Sequence, residues 1–101
     1  MIASVQQIKY ELMAFIKELG GGFGEFVIGI ADDPRQAMRR EHGVDLEGDP
    51  WIYKQALSHA AARTVQDYFV EKLKVNGVRP ASDSEDVDCV YLYRKGVETC
   101  P

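Results

Sequence analysis

Cysteine, tryptophan and proline are scarce in this chain: two, one and four among 101 residues. Two cysteines, Cys89 and Cys100, are too few for a disulfide framework. The N-terminus has no basic stretch running into an apolar one, because Glu11, Lys17 and Glu18 interrupt it. A reducing cytoplasm is therefore the expected home. No apolar run approaches about 20 residues, so no membrane span is expected. Positive charge is also in deficit, with a net charge of -4 and a pI of about 5.1. Nucleic-acid-binding modules draw much of their affinity from neutralising phosphates, so the global balance argues against such a partner. A local basic patch remains compatible with it.

What is present suits one folded domain spanning residues 1–101. The hydrophobic share is 46% and the charged share 28%, the balance of a globular protein. A chain of this length buries roughly 65% of its unfolded surface, enough for one core.

Val5, Ile8, Leu12, Phe15, Ile16 and Leu19 recur at helical spacing and form one apolar stripe. Ser4 with Gln7 marks a capping-box start, and Gly20, Gly21 and Gly22 end the helix. Phe23 to Ala31 reads as a strand, apolar on both sides. Asp33 suits an N-cap and Pro34 the first helical position, so a short helix is expected from Pro34 to about His42. An acidic loop with Asp45, Glu47 and Asp49 precedes a strand over Trp51 to Leu57. Ser58 caps a third helix to about Val75, ended by Asn76 and Gly77, with Arg63 and Asp67 placed to pair. Val78 to Asp86 is polar and reads as a solvated, mobile loop. Val87 to Arg94 is a strand with Cys89, Tyr91 and Tyr93 on one side and Val90 and Leu92 on the other, and Lys95 to Pro101 is expected to fray. The order helix-strand-helix-strand-helix-strand predicts an α+β fold, a small mixed sheet packed with three helices.

Candidate chemistry is sparse. The glycines of Gly20 to Gly24 follow a helix and precede a strand, whereas a phosphate loop needs a helix after them. Asp45, Glu47 and Asp49 lack the glycine and distal glutamate of a calcium loop. His42, His59, Cys89 and Cys100 lack zinc spacing, so no metal site is expected from them. Cys89 reads as a core residue and His42 as a helix C-terminal residue. Arg35, Arg39 and Arg40 form the basic cluster, which is either a phosphate-facing patch or a solvated helix face balanced by Asp33 and Glu41.

From Phe26 onward, over about half its length, the chain resembles the GIY-YIG endonuclease family. Val27-Ile28-Gly29-Ile30-Ala31 stands in place of the motif strand. Asp33-Pro34-Arg35 opens the helix that in the family bears an arginine, and Glu41-His42-Gly43 closes it. Trp51-Ile52-Tyr53 precedes the Ser58 cap and the alanines Ala60, Ala61 and Ala62, as the family's strand precedes its glutamate-bearing helix. The resemblance implies a GIY-YIG-like core, but the catalytic positions depart from it. Val27 replaces a tyrosine. The helix arginine falls near Gln36 and Ala37, with Arg35 and Arg39 on either side. The metal-binding glutamate falls near Gln66 and Asp67, with Glu71 a turn later. The family's first strand, which carries another tyrosine, has no counterpart before Phe26, and the C-terminal strand with Tyr91 and Tyr93 is the expected substitute in the sheet.

Hydrolysing a phosphodiester needs an activated water, a metal held by carboxylate, and a cation on the developing charge. Val27 can neither donate nor accept a proton, and the neutral Gln66 is a poor ligand for a hard cation. The expected function is thus a small binding or regulatory domain without a complete catalytic site and without a cofactor, its acidic balance suiting a protein partner. Two alternatives stay open. One is an endonuclease using magnesium or manganese with relocated residues: Arg35 or Arg39, Asp67 or Glu71, and Tyr91 or Tyr93. The other is a nucleic-acid binder without chemistry, contacting phosphates through Arg35, Arg39 and Arg40.

Overall fold

The computed structural model describes residues 2–80, 82–96 and 99. Helix α1 (Val5–Leu19) begins where the Ser4 side chain accepts the Gln7 N–H, and it ends at Gly20, whose φ of 78° places it in the left-handed region. The return half of the capping box is not made, since the Gln7 amide turns to the Glu11 carboxylate at 2.7 Å. The stripe is as expected: Ile8, Leu12 and Ile16 are buried.

Strand β2 (Phe26–Ala31) starts three residues later than expected. Phe23–Glu25 forms a 3-10 turn instead, because the Glu25 carboxylate reaches back to the Gly22 N–H at 2.9 Å. Asp33 then caps α2 as expected, accepting the Gln36 N–H. That helix is an α-turn over Pro34–Gln36 which widens into a π-turn over Ala37–Glu41, a departure from the single short α-helix expected. Strand β3 (Trp51–Ala56) stops one residue short of Leu57.

Helix α3 (His59–Glu71) is capped by Ser58 but ends well before Val75. Lys74 has a φ of 63° and reverses the chain. Val75 stays buried after the reversal, which is why the apolar spacing continues past the helix. Asn76 and Gly77 do not terminate α3; they form the two-residue strand β4 (Asn76–Gly77). Arg63 points not to Asp67 but to Asp83, 3.6 Å away. Strand β5 (Cys89–Arg94) begins two residues after Val87, and a two-residue strand at the N-terminus, β1 (Ile2–Ala3), was not expected. The described residues between β4 and β5 form no helix or strand. Of the tail expected to fray, Val97, Glu98, Cys100 and Pro101 lie outside the described residues.

The result is an α+β domain, a five-stranded mixed sheet in the order β1-β3-β5-β2-β4 with three helices. β5 runs antiparallel to both β2 and β3, with Gly29 and Tyr53 both opposite Tyr91. β1 is parallel to β3 and β4 parallel to β2. The alternation of β2 and β5 divides the core. Phe26, Ile28, Ile30, Val90 and Leu92 pack against α1 and α3 on one face. Val27, Tyr91 and Tyr93 pack against Ala37 and Met38 of α2 and against Val44 on the other. Among the described residues no helix is long and apolar enough to cross a membrane.

Candidate functional site

The C-terminal end of β2 runs straight into Asp32 and Asp33, and Asp33 is held there by its cap on α2. Beyond it α2 packs on the sheet face that carries Tyr91, and Val78 and Arg79 follow β4. Between them lies a cleft of about 340 Å³, lined among others by Asp32, Asp33, Gln36, Glu41, Arg79 and Tyr91. Three acidic residues and one arginine thus share its lining.

Tyr91 also lines this cleft and is 2% exposed. Its ring crosses directly over Gly29: a Cβ on Gly29 would stand 2.3 Å from the ring and from the hydroxyl. The hydroxyl shares a 2.9 Å hydrogen bond with His42 Nε2. Burial first, and then the nearby charge of Glu41, push the Tyr91 hydroxyl far above its ordinary pKa. It stays protonated at neutral pH and serves as a hydrogen-bonding group rather than as a base. His42, at the end of the widened turn, is buried, with its ring centre 5.7 Å from that of Tyr91 and 5.4 Å from that of Tyr93. A π-turn of this kind is often found beside functional sites; here it ends at the imidazole beneath the cleft.

A second, more open basin of about 620 Å³ adjoins the first through Asp32 and Asp33 and adds Tyr53, Asp86, Asp88 and Cys89. Cys89 is a free, buried thiol. Burial and the neighbouring Asp88 push its pKa up to about 11, so at neutral pH it is a protonated core residue and a poor nucleophile.

The sheet separates the residues that an endonuclease would have to bring together. Arg35, Arg39 and Arg40 are exposed on α2 and its π-turn, and Tyr91 and Tyr93 lie buried beneath that same layer. Asp67 and Glu71 are exposed on α3, the helix that packs on the opposite face. Arg35 lies over an aromatic pair, 5.4 Å from the ring centre of Trp51 and 5.9 Å from that of Tyr53. These two rings stack nearly parallel at 6.3 Å. Val27 is fully buried. Gln66 is buried as well, and its amide donates to the carbonyls of Ile28 at 3.1 Å and Val78 at 2.7 Å. It ties β2 to the segment leaving β4, a task for a donor that an ionised carboxylate could not perform. Among the described residues no group of three or more His, Cys, Asp or Glu is arranged to hold a metal ion.

Glu41, Arg79 and the pairing of His42 with Tyr91 are the features of the cleft that the linear sequence concealed. The signal that could have exposed the pairing is the glycine of β2 placed opposite a tyrosine of β5. The chain matches no protein-family model, and no curated protein or solved structure shows significant similarity to it.

Proposed function

We propose that this protein is a cytoplasmic binding domain without hydrolytic chemistry, and that it takes a cationic segment of a protein partner into the cleft at the end of β2. The carrying observation is the lining of that cleft, where three acidic residues, Asp32, Asp33 and Glu41, stand with a single arginine, Arg79. The acidic surface continues into the adjoining basin through Asp86 and Asp88. Such a surface attracts lysine and arginine side chains over several ångströms and favours them over anions. Two further observations support the absence of hydrolysis. Arg35 and Arg39 are divided by the sheet from Asp67 and Glu71. If the core is GIY-YIG-like, the positions that the resemblance gives to the helix arginine, Gln36 and Ala37, line the cleft with neutral side chains.

Titrating the labelled protein with a short lysine- and arginine-rich peptide tests the reading. Saturable amide shifts are expected at Asp32, Asp33, Glu41 and Arg79, with affinity falling as salt is raised. The double variant D32N/E41Q should bind about tenfold more weakly, the size expected for removing two partly exposed charges from such a contact. Absence of saturable binding would contradict the proposal. So would saturable binding of a single-stranded oligonucleotide on the face of Arg35, Arg39 and Arg40, next to the Trp51 and Tyr53 rings, which would establish the nucleic-acid reading in its place.

A further inference from the structure

Next to Arg79, the start of α3 and the segment before β5 bring together His59, Arg63 and Asp83, side chains that the proposed binding function does not use. His59 is 7% exposed. Its Nδ1 lies 2.7 Å from the Val87 carbonyl. That oxygen can only accept, so Nδ1 carries the ring proton. The other nitrogen, Nε2, is buried and has no hydrogen-bond partner, and neither has Nε of Arg63 one turn along the helix. Both residues point to the same carboxylate. Asp83 Oδ1 stands 3.4 Å from His59 Nε2 and 3.6 Å from an Arg63 terminal nitrogen. These separations exceed the roughly 2.7–2.9 Å of a charge-assisted hydrogen bond, and the Asp83 side chain is 86% exposed. A cavity of about 340 Å³ opens beside them, lined by Arg63, Arg79, Pro80, Ser82 and Asp83.

We propose that this is an oxyanion site for a phosphate group, and that Asp83 is its built-in occupant. Arg63 and Arg79 line one cavity, and a buried Arg Nε–H without an acceptor carries a desolvation cost that a bound oxygen would relieve. One loosely held carboxylate leaves that donor unanswered. A phosphate has more oxygens and more charge than a carboxylate. With Asp83 swung out into solvent, it would accept from Arg63 and Arg79 and from the Ser82 hydroxyl, which line the cavity. The same chemistry serves inorganic phosphate and a phosphate monoester on a larger molecule. The cavity shares Arg79 with the acidic cleft but is otherwise lined by different residues, and its test follows Arg63 and Asp83, so it and the peptide titration can fail independently.

The experiment titrates inorganic phosphate and, separately, O-phosphoserine into the labelled protein at low ionic strength, following the Arg63 side-chain Nε–H and the Asp83 amide by NMR. Saturable shifts of both signals are expected. D83N, which keeps the shape of the loop and removes the competing charge, should bind about tenfold more tightly, and R63Q and R79Q each about tenfold more weakly, the scale of a hydrogen bond to a charged group. Tighter binding of inorganic phosphate would assign the site to the free ion, and tighter binding of phosphoserine to a monoester. Either supports the proposal. It is overturned if D83N shows no saturable response to either probe, if D83N and the native protein bind alike, or if R63Q binds as well as the native protein.

Discussion

Replacing Gly29 by alanine is expected to destabilise the protein by about 2–3 kcal/mol, the upper part of the usual range for overpacking a core. Gly29 lies in a central strand opposite Tyr91, and the added methyl would lie 2.3 Å from the Tyr91 ring, inside any permitted contact distance. The ring cannot easily retreat. It is buried on the face covered by Ala37, Met38 and Val44 and tied through its hydroxyl to His42. The strain should therefore appear as a lower midpoint of chemical denaturation at an unchanged m-value. A double-mutant cycle identifies the cause. In a Tyr91→Leu background the methyl meets a smaller side chain, and the Gly29→Ala penalty should shrink to within a few tenths of a kcal/mol, leaving a coupling of about 2 kcal/mol between the two positions. A penalty of the same size in both backgrounds would mean that backbone conformation, not the ring, requires glycine there.

Leu12→Ala is expected to cost about 2–5 kcal/mol, because Leu12 is completely buried and its truncation leaves a cavity as well as losing apolar contact. α1 has Ile8, Leu12 and Ile16 as its buried line against the sheet and α3. A loss of this size is a large fraction of the stability of a domain this small, which is on the order of 5–15 kcal/mol. Urea denaturation followed by circular dichroism measures it. A cost below about 1 kcal/mol would show that α1 is an appendage and not part of the core.

The parts of the fold that announce themselves in the sequence are those whose pattern is local. The Ser4 cap and the stripe through Ile8, Leu12 and Ile16 define α1, and the side-to-side alternation of Cys89 to Tyr93 defines β5 before its partners are known. Asp33 and Pro34 mark the start of α2 for the same reason. The two-residue strands at Ile2 and Asn76 show no alternation, since two residues cannot; they exist because β3 and β2 offer a parallel edge. The π-turn leaves no local trace either, as His42 and Met38 are drawn inward by the aromatic face of β5. The candidate cleft was half visible. Asp32 and Asp33 could be placed at the end of a strand, but Glu41, Arg79 and Tyr91 meet there only through a sheet order in which the last strand, β5, lies between β3 and β2. Gln66 shows the limit most clearly. Beside a family pattern it stands out as a missing carboxylate, and only the two carbonyls within its reach show that an amide is what the position needs.

The central claim is binding without phosphodiester chemistry, and a cleavage assay tests it most directly. Purified protein is incubated with duplex, branched and single-stranded DNA in magnesium or manganese. The account predicts no cleavage above background, because loss of a single general-acid or charge-stabilising group commonly lowers a rate about a hundredfold or more. On the GIY-YIG resemblance, the place expected for the tyrosine is the buried Val27 and a place near the expected glutamate is Gln66, whose amide is tied to two carbonyls, while the candidate carboxylates Asp67 and Glu71 lie on the layer opposite Arg35 and Arg39. Metal-dependent cleavage that copurifies with the protein and is abolished by Glu71→Ala or Arg39→Ala would contradict it.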